Sequence, residues 1–304
     1  MIHKYKRDRF VPQYVGAKRS LDFQIVEEME QIIDVTLAGL TFSCALRFPE
    51  SAVFPPPDLN VPKAGDDAVC LSQEDWDYYC GLGSVPSAQS EFSLLTAPFS
   101  DALMDFDRLI LHGVALRWRD KAWLICGISG VGKSTQARCL QTLRPGEFSV
   151  ICGDRPILEF RHSERSEAES KNPSPVCHIE SSKESASPVA AHSVRHDFVM
   201  TGKDEIIVHP SPWNGKENWY GAEAAPLAGL ILLERGEENR LDFLTEREAA
   251  IPVYTQVIQT TALEKRICQS AALITRLLKT VPVWRLTTHQ VPDSTKLLLE
   301  TVFS

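Results

Sequence analysis

From Val35 to Leu46 the apolar residues fall at Val35, Leu37, Leu40, Phe42, Cys44 and Leu46, a period of two on either side of Ala38-Gly39. Alternate side chains of a strand point to opposite faces, so the pattern predicts a β-hairpin with one buried face. The chain from there to residue 107 carries Pro55-Pro56-Pro57 and short apolar runs, and reads as an irregular, β-leaning region without strong helices. Order sharpens at Arg108. Leu109 to Leu116 and Ala122 to Cys126 predict two consecutive strands joined by the polar turn Arg119-Asp120-Lys121. Ser134 to Leu143 has helical composition and stops near Pro145-Gly146, and Ser149 to Cys152 predicts a short strand ending at Gly153-Asp154. Strand, glycine loop, helix, strand is the opening of an α/β domain.

Residues 161–193 break the pattern with many serines and charges and no Phe, Trp or Tyr. So little apolar surface cannot offset the entropy of ordering, which predicts a flexible insertion, taken as 161–197, before a strand around Glu205 to His209. Beyond it, Leu227 to Leu233 is a continuous apolar run expected to be a buried strand. Thr261 to Lys279 places Leu263, Ile267, Ala271, Ile274 and Leu278 near one helical face. Val281 to Leu286 predicts a strand, and Asp293 or Ser294 the cap of a last short helix.

The 304 residues are 43 % hydrophobic, enough for a real core, and carry a formal net charge of -8. No global positive field exists to hold nucleic acid. Residues 1–30 are locally basic, with Lys4, Lys6, Arg7, Arg9, Lys18 and Arg19, and suit either an arm for an anionic partner or a solvated tail. No apolar run approaches the ~18 residues of a membrane span, and the N-terminus lacks a signal-peptide core, so a cytoplasmic protein is expected. The cysteines are scattered without C-x-x-C or metal-ligand spacing.

Gly127, Gly132, Lys133 and Ser134 satisfy G-x-x-x-x-G-K-[ST] between a strand and a helix. Such glycines let backbone amides, here those around Ser129, Gly130 and Val131, point at phosphate oxygens, and the helix presents its positive end to the same anion. Lys133 should reach the β- and γ-phosphates of a nucleoside triphosphate, Ser134 should ligate Mg²⁺, and Thr135 can add a phosphate contact. A second acid is needed to hold Mg²⁺ or take a proton. Asp154, at a strand end about twenty residues on, fits, although Asp is also a common turn former. His112, in an apolar strand before the loop, is read either as a catalytic residue or as a hydrogen-bonded core histidine. Trp213, Asn214, Lys216 and Glu217 suit a ligand or peptide contact, or equally a surface turn anchored by tryptophan.

The ordered set Leu-His-Gly-Val, Gly-Ile-Ser-Gly-Val-Gly-Lys-Ser-Thr, Ile-Cys-Gly-Asp-Arg-Pro-Ile-Leu, Ser-Pro-Trp-Asn-Gly-Lys-Glu, Leu-Glu-Arg-Gly-Glu-Glu-Asn and Val-Pro-Val-Trp-Arg-Leu resembles the HPr kinase-like proteins. Their fold is akin to that of phosphoenolpyruvate carboxykinase, and the resemblance spans about residues 105 to 300 without the insertion. It implies Asp154 as general base and metal contact, His112 near the phosphate end of the site, and ATP with Mg²⁺ as cofactors. Gly153 stands where family members often carry a further acid, and the Arg-Gly-Leu-Gly segment of true HPr kinase/phosphorylases is absent. The expectation is an α/β protein with a basic arm at 1–30, a β-rich region at 31–107 and a P-loop kinase domain of this type at 108–304. Its expected activity is transfer of phosphate from ATP to a hydroxyl, a serine of a peptide or protein. A nucleotide-binding regulator and a small-molecule kinase are the alternatives.

Overall fold

The computed structural model describes residues 31–162, 204–260 and 264–304, apart from residues 49, 51–53, 56 and 222. The predicted basic arm and the insertion from residue 163 onward lie outside the described residues. Arg161 and His162 belong to a strand rather than to the insertion.

The hairpin forms as β1 (Gln31–Leu37) and β2 (Leu40–Leu46), in antiparallel register with Leu37 opposite Leu40. Ala38 and Gly39 take φ of 47° and 75°, the mirror-image turn whose twist matches that of the strands. Contrary to the expectation of one buried face, β2 is buried along its whole length. The segment around Pro62 and Val69 lies along its free edge, through Thr41 N to Pro62 O at 2.9 Å and Ala45 N to Val69 O at 3.0 Å.

The rest of the N-terminal region departs from the β-leaning expectation. It forms α1 (Gln73–Gly81), α2 (Ala88–Leu94) and α3 (Thr96–Met104). These helices are too short for a 3.6-residue period to stand out, but the starts of α1 and α2 are well specified, whereas α3 follows α2 without a side-chain cap. Ser72 with Asp75, and Ser87 with Ser90, form reciprocal capping boxes. Together with the hairpin they enclose a core of Val35, Phe42, Leu46, Leu95, Phe99 and Leu103.

The stretch expected as one strand from Leu109 to Leu116 is two, β3 (Arg108–Ile110) and β4 (Gly113–Trp118). At the break the backbone changes partners: Leu111 N donates to Pro156 O and His112 N to Gln256 O at 2.8 Å. Five further strands are β5 (Lys121–Cys126), β6 (Phe148–Cys152), β7 (Ile157–His162), β8 (Asp204–His209) and β9 (Ala225–Arg235). Among the described residues the order is β3-β7-β8-β9-β5-β4-β6 in a mixed sheet. β9 branches. Ala225 and Pro226 meet β8, whereas from Leu230 on β9 takes β11 (Val283–Thr288) in parallel, and β10 (Arg240–Leu244) lies outside β11.

Helices cover both faces of the sheet, as the alternation in β5 dictates. Ala122, Leu124 and Cys126 pack with Ala249 and Val253 of α5 (Glu246–Tyr254) and with Leu273, Ile274 and Leu277 of α6 (Glu264–Thr280). Trp123 and Ile125 face α4 (Lys133–Leu143) and α7 (Val291–Thr301), with Phe303 5.0 Å from the Trp123 ring. This α/β layering needs apolar residues on both sides of its central strands, which explains the uninterrupted run in β9. Among the described residues no helix is long and apolar enough to cross a membrane.

Candidate phosphate-loop site

The glycine loop joins the carboxyl end of β5 to α4. Gly127, Gly130 and Gly132 take φ of 149°, 77° and 115°, values that L side chains resist. Gly127 is also hemmed in: a Cβ there would meet the Leu233 carbonyl of β9 at 2.6 Å. Gly132 caps α4 without a side-chain bond, so the first amides of the helix stay available as donors. Val131 is buried and anchors the loop, while Ser129, Gly130 and Thr135 are exposed and Ser134 half-buried. Lys133 folds back along the loop, its Nζ donating to Gly127 O at 2.9 Å and Ile128 O at 3.2 Å. Burial pushes its pKa down, opposed by the charge of Asp154. The Cys126 thiol behind the loop is pushed up to about 12 by burial and stays neutral.

Strand pairing brings the sequence-singled acid and histidine to this loop. β4 runs antiparallel to β5 with Gly113 opposite Cys126, and antiparallel to β6 with Ala115 opposite Cys152. The amino end of β4 and the carboxyl ends of β5 and β6 therefore meet, and Gly113 N donates to Asp154 O at 2.7 Å. His112 Nε2 lies 3.3 Å from Asp154 Oδ1, with both side chains about a quarter exposed at 28 % and 26 %. This histidine borders the site rather than filling the core. Arg155 Nε stands 3.4 Å from Asp154 Oδ2, and its guanidinium also reaches the Ser93 carbonyl and the Thr96 hydroxyl at the α2–α3 junction.

The Trp213–Glu217 segment divides by role. Trp213 is buried, donates its indole N–H to Phe92 O at 2.7 Å and packs among Phe54, Phe92 and Phe99. Beyond it Asn214 is half-buried, Lys216 is exposed, and Glu217 pairs with Arg138 of α4. Gly215 abuts the acid, since a Cβ on it would lie 3.0 Å from the Asp154 Cβ. The same segment explains Gly153. A Cβ there would meet the Asn214 carbonyl at 2.4 Å and the Trp219 Cβ at 3.0 Å, and Gly153 N donates to Trp219 O. No acid fits at Gly153 without moving this loop.

On the opposite flank of the loop, sequence reasoning missed Glu234 and Arg235 at the carboxyl end of β9, with Arg285 of β11 beside them. Together with Gly127 to Val131 and with Pro252, Thr255 and Gln256 of the α5 end they line a cavity of about 510 Å³. The available signal was positional. β9 lies parallel and adjacent to β5, so the residues after its apolar run arrive beside the loop.

No group of three or more His, Cys, Asp or Glu able to hold a metal converges among the described residues. Hard oxygens beside the loop come from the Asp154 carboxylate on one flank, the Glu234 carboxylate on the other, and the Ser129 and Ser134 hydroxyls of the loop and helix start. That sparse set suits Mg²⁺, which keeps most of its shell as water and phosphate oxygen.

No family model matches the chain, and no curated protein matches it. Among solved structures, the Hpr(Ser) kinase/phosphatase from Coxiella burnetii is similar at 10 % identity and a TM-score of 0.30, over 64 % of this chain and 88 % of that one.

Proposed function

We propose that this chain is an ATP-dependent kinase that transfers the γ-phosphoryl group to a hydroxyl, a serine of a peptide or protein. One observation carries the reading: the glycine loop that completes the G-x-x-x-x-G-K-[ST] pattern at the end of β5 is flanked by a carboxylate and an imidazole brought to it by the neighbouring strands. In this reading the loop amides and Lys133 hold the phosphates. Asp154 accepts the proton of the attacking hydroxyl as its oxygen bonds to the γ-phosphorus and ADP leaves. His112 borders Asp154 and orients its carboxylate. Ser134 and Asp154 would hold Mg²⁺, which when bound supplies charge neutralisation between the phosphates. The surface residues Asn214, Lys216 and Glu217, in the loop that abuts Asp154, are where a peptide acceptor would lie.

The crowding at Gly153 favours a second reading, a nucleotide-binding regulator with little turnover, because a single carboxylate must then serve both proton and metal. Incubation with radiolabelled ATP, Mg²⁺ and serine-containing peptides separates the two. Label on serine is the expected result. Release of free phosphate alone makes the chain a nucleotide-driven switch, and label on small alcohols instead makes it a small-molecule kinase.

A further inference from the structure

We infer that Arg235 is a second cationic contact for the terminal phosphoryl group, reaching it from the side of the loop opposite Asp154. The inference rests on the nucleotide reading above and names a residue that reading does not use. Arg235 closes β9, and β9 is paired with β5 through Ile125–Ile231 and Cys126–Leu232. Its guanidinium is thereby carried over the start of α4, so that a Cβ placed on Gly132 would lie 3.8 Å from Arg235 Nη2. Gly132 immediately precedes Lys133, and its φ of 115° makes it a position where only glycine sits without strain.

Three features set Arg235 apart from an ordinary surface arginine. It lines the same cavity as the exposed loop residues Ile128, Ser129 and Gly130. The acid next to it is already engaged: Glu234 accepts from the Thr287 hydroxyl at 2.8 Å and faces Arg285 Nε at 3.7 Å. Finally, no carboxylate lies within ion-pair distance of Arg235 among the described residues, whereas Arg138, Arg155, Arg240 and Arg285 each have one. An uncommitted guanidinium beside an uncapped helix start faces the strongest anion such a loop takes, the triphosphate terminus. Lys133 reaches the phosphates from within the loop and Arg235 from the rim. The two cations would thus share the negative charge that gathers on the departing phosphoryl group, the task an arginine supplied in cis performs in phosphoryl transfer.

Titration of ATP and ADP at fixed Mg²⁺ tests this with wild type, Arg235→Ala, Arg235→Lys and Lys133→Ala. Arg235→Ala should lose on the order of tenfold or more in ATP affinity, with ADP affinity within about twofold of wild type. Arg235→Lys should recover part of the loss. Unchanged ATP affinity in Arg235→Ala, where Lys133→Ala does lose affinity, overturns the role of Arg235 and leaves the nucleotide reading intact. Equal losses for ATP and ADP overturn it as well, since the contact would then lie elsewhere on the nucleotide. Failure of wild type to bind either nucleotide overturns both.

Discussion

Two carboxylates five residues apart, Asp154 and Glu159, each sit between a histidine and arginine, yet they are held in opposite ways. Glu159 on β7 is tightly bound. Arg108 and Arg161 donate to it at 3.0 and 2.9 Å, and His209 Nε2 lies 2.8 Å away. Burial alone would raise its pKa, but the hydrogen bonds from His209 and Arg161 and the charge of Arg108 outweigh it and hold the carboxyl at about 2. Arg108 also donates to the Ala38 and Phe106 carbonyls, so this cluster ties the hairpin turn to the sheet. Asp154 has the His112 ring at 3.3 Å and the Arg155 guanidinium at 3.4 Å, and the buried Arg155 Nε makes no hydrogen bond. Its lone pairs are not saturated. A carboxylate with every oxygen satisfied is a fastener, whereas one held near charge but short of full hydrogen bonding keeps capacity for a proton or a metal.

The contrast makes separable predictions. Asp154→Asn should lower phosphoryl transfer by on the order of a hundredfold or more while ATP binding and melting temperature stay near wild type. Retention of wild-type turnover in the label-transfer assay would remove Asp154 from the chemistry and erase the distinction.

Glu159→Gln should do the reverse, costing on the order of 3 kcal/mol of stability at neutral pH with turnover within about twofold. The pH dependence has a definite sign. With the folded value near 2 and the free value at 4.5, this carboxylate stabilises fully above pH 4.5 and loses its contribution as pH falls toward 2. Denaturant unfolding at several pH values should therefore show wild type weakening across that window, and Glu159→Gln starting lower with a shallower slope.

Gly153→Ala is the mildest case. Its methyl group would press on the Asn214 carbonyl, so we expect about 1–3 kcal/mol of destabilisation by overpacking. Transfer should fall with it, because Asp154 is the next residue. A variant as stable as wild type by thermal melting would mean that the 214–219 loop yields freely.

What was legible in the sequence follows the range of the interactions. The glycine loop, β5, α4, β6 and the apolar run of β9 are local signals. α6 forms where expected, but Ile267 and Ala271 of its predicted face are exposed, and Arg266, Ser270, Leu273 and Leu277 are buried beside Ile274 and Leu278. The helices α1, α2 and α5 were missed because their starts are written in caps, Ser72 with Asp75, Ser87 with Ser90, and Thr245 with Glu248. A short helix with a strong cap and a brief apolar face is easily passed over when periodicity is the only criterion. Asp154 was singled out from a strand end and His112 from an apolar strand before the loop, but their approach to each other depends on the antiparallel registers of β4, which no local pattern states. The same holds for Arg235, whose place depends on β9 choosing β5 as its parallel neighbour. Trp213 reads as a surface-loop aromatic until Phe54, Phe92 and Phe99, more than a hundred residues earlier, are folded against it.

β6 is the last strand of the sheet, and Trp219 to Gly221 run beside it, through Gly153 N to Trp219 O and Gly221 N to Ile151 O, both 2.9 Å. An unpaired strand edge is a template for pairing with another chain, and this short strip occupies it with the protein's own backbone. The strip lies between the buried Trp213 and the start of β9, and it is held to β6 by few backbone bonds. Local opening here should be far cheaper than unfolding of β5 or β9. Amide exchange at Gly153 and Gly221 would then run ahead of the core. Each such opening would expose the bare edge of β6 and detach the backbone contact next to Asp154, making loss of activity and onset of self-association two readouts of the same excursion.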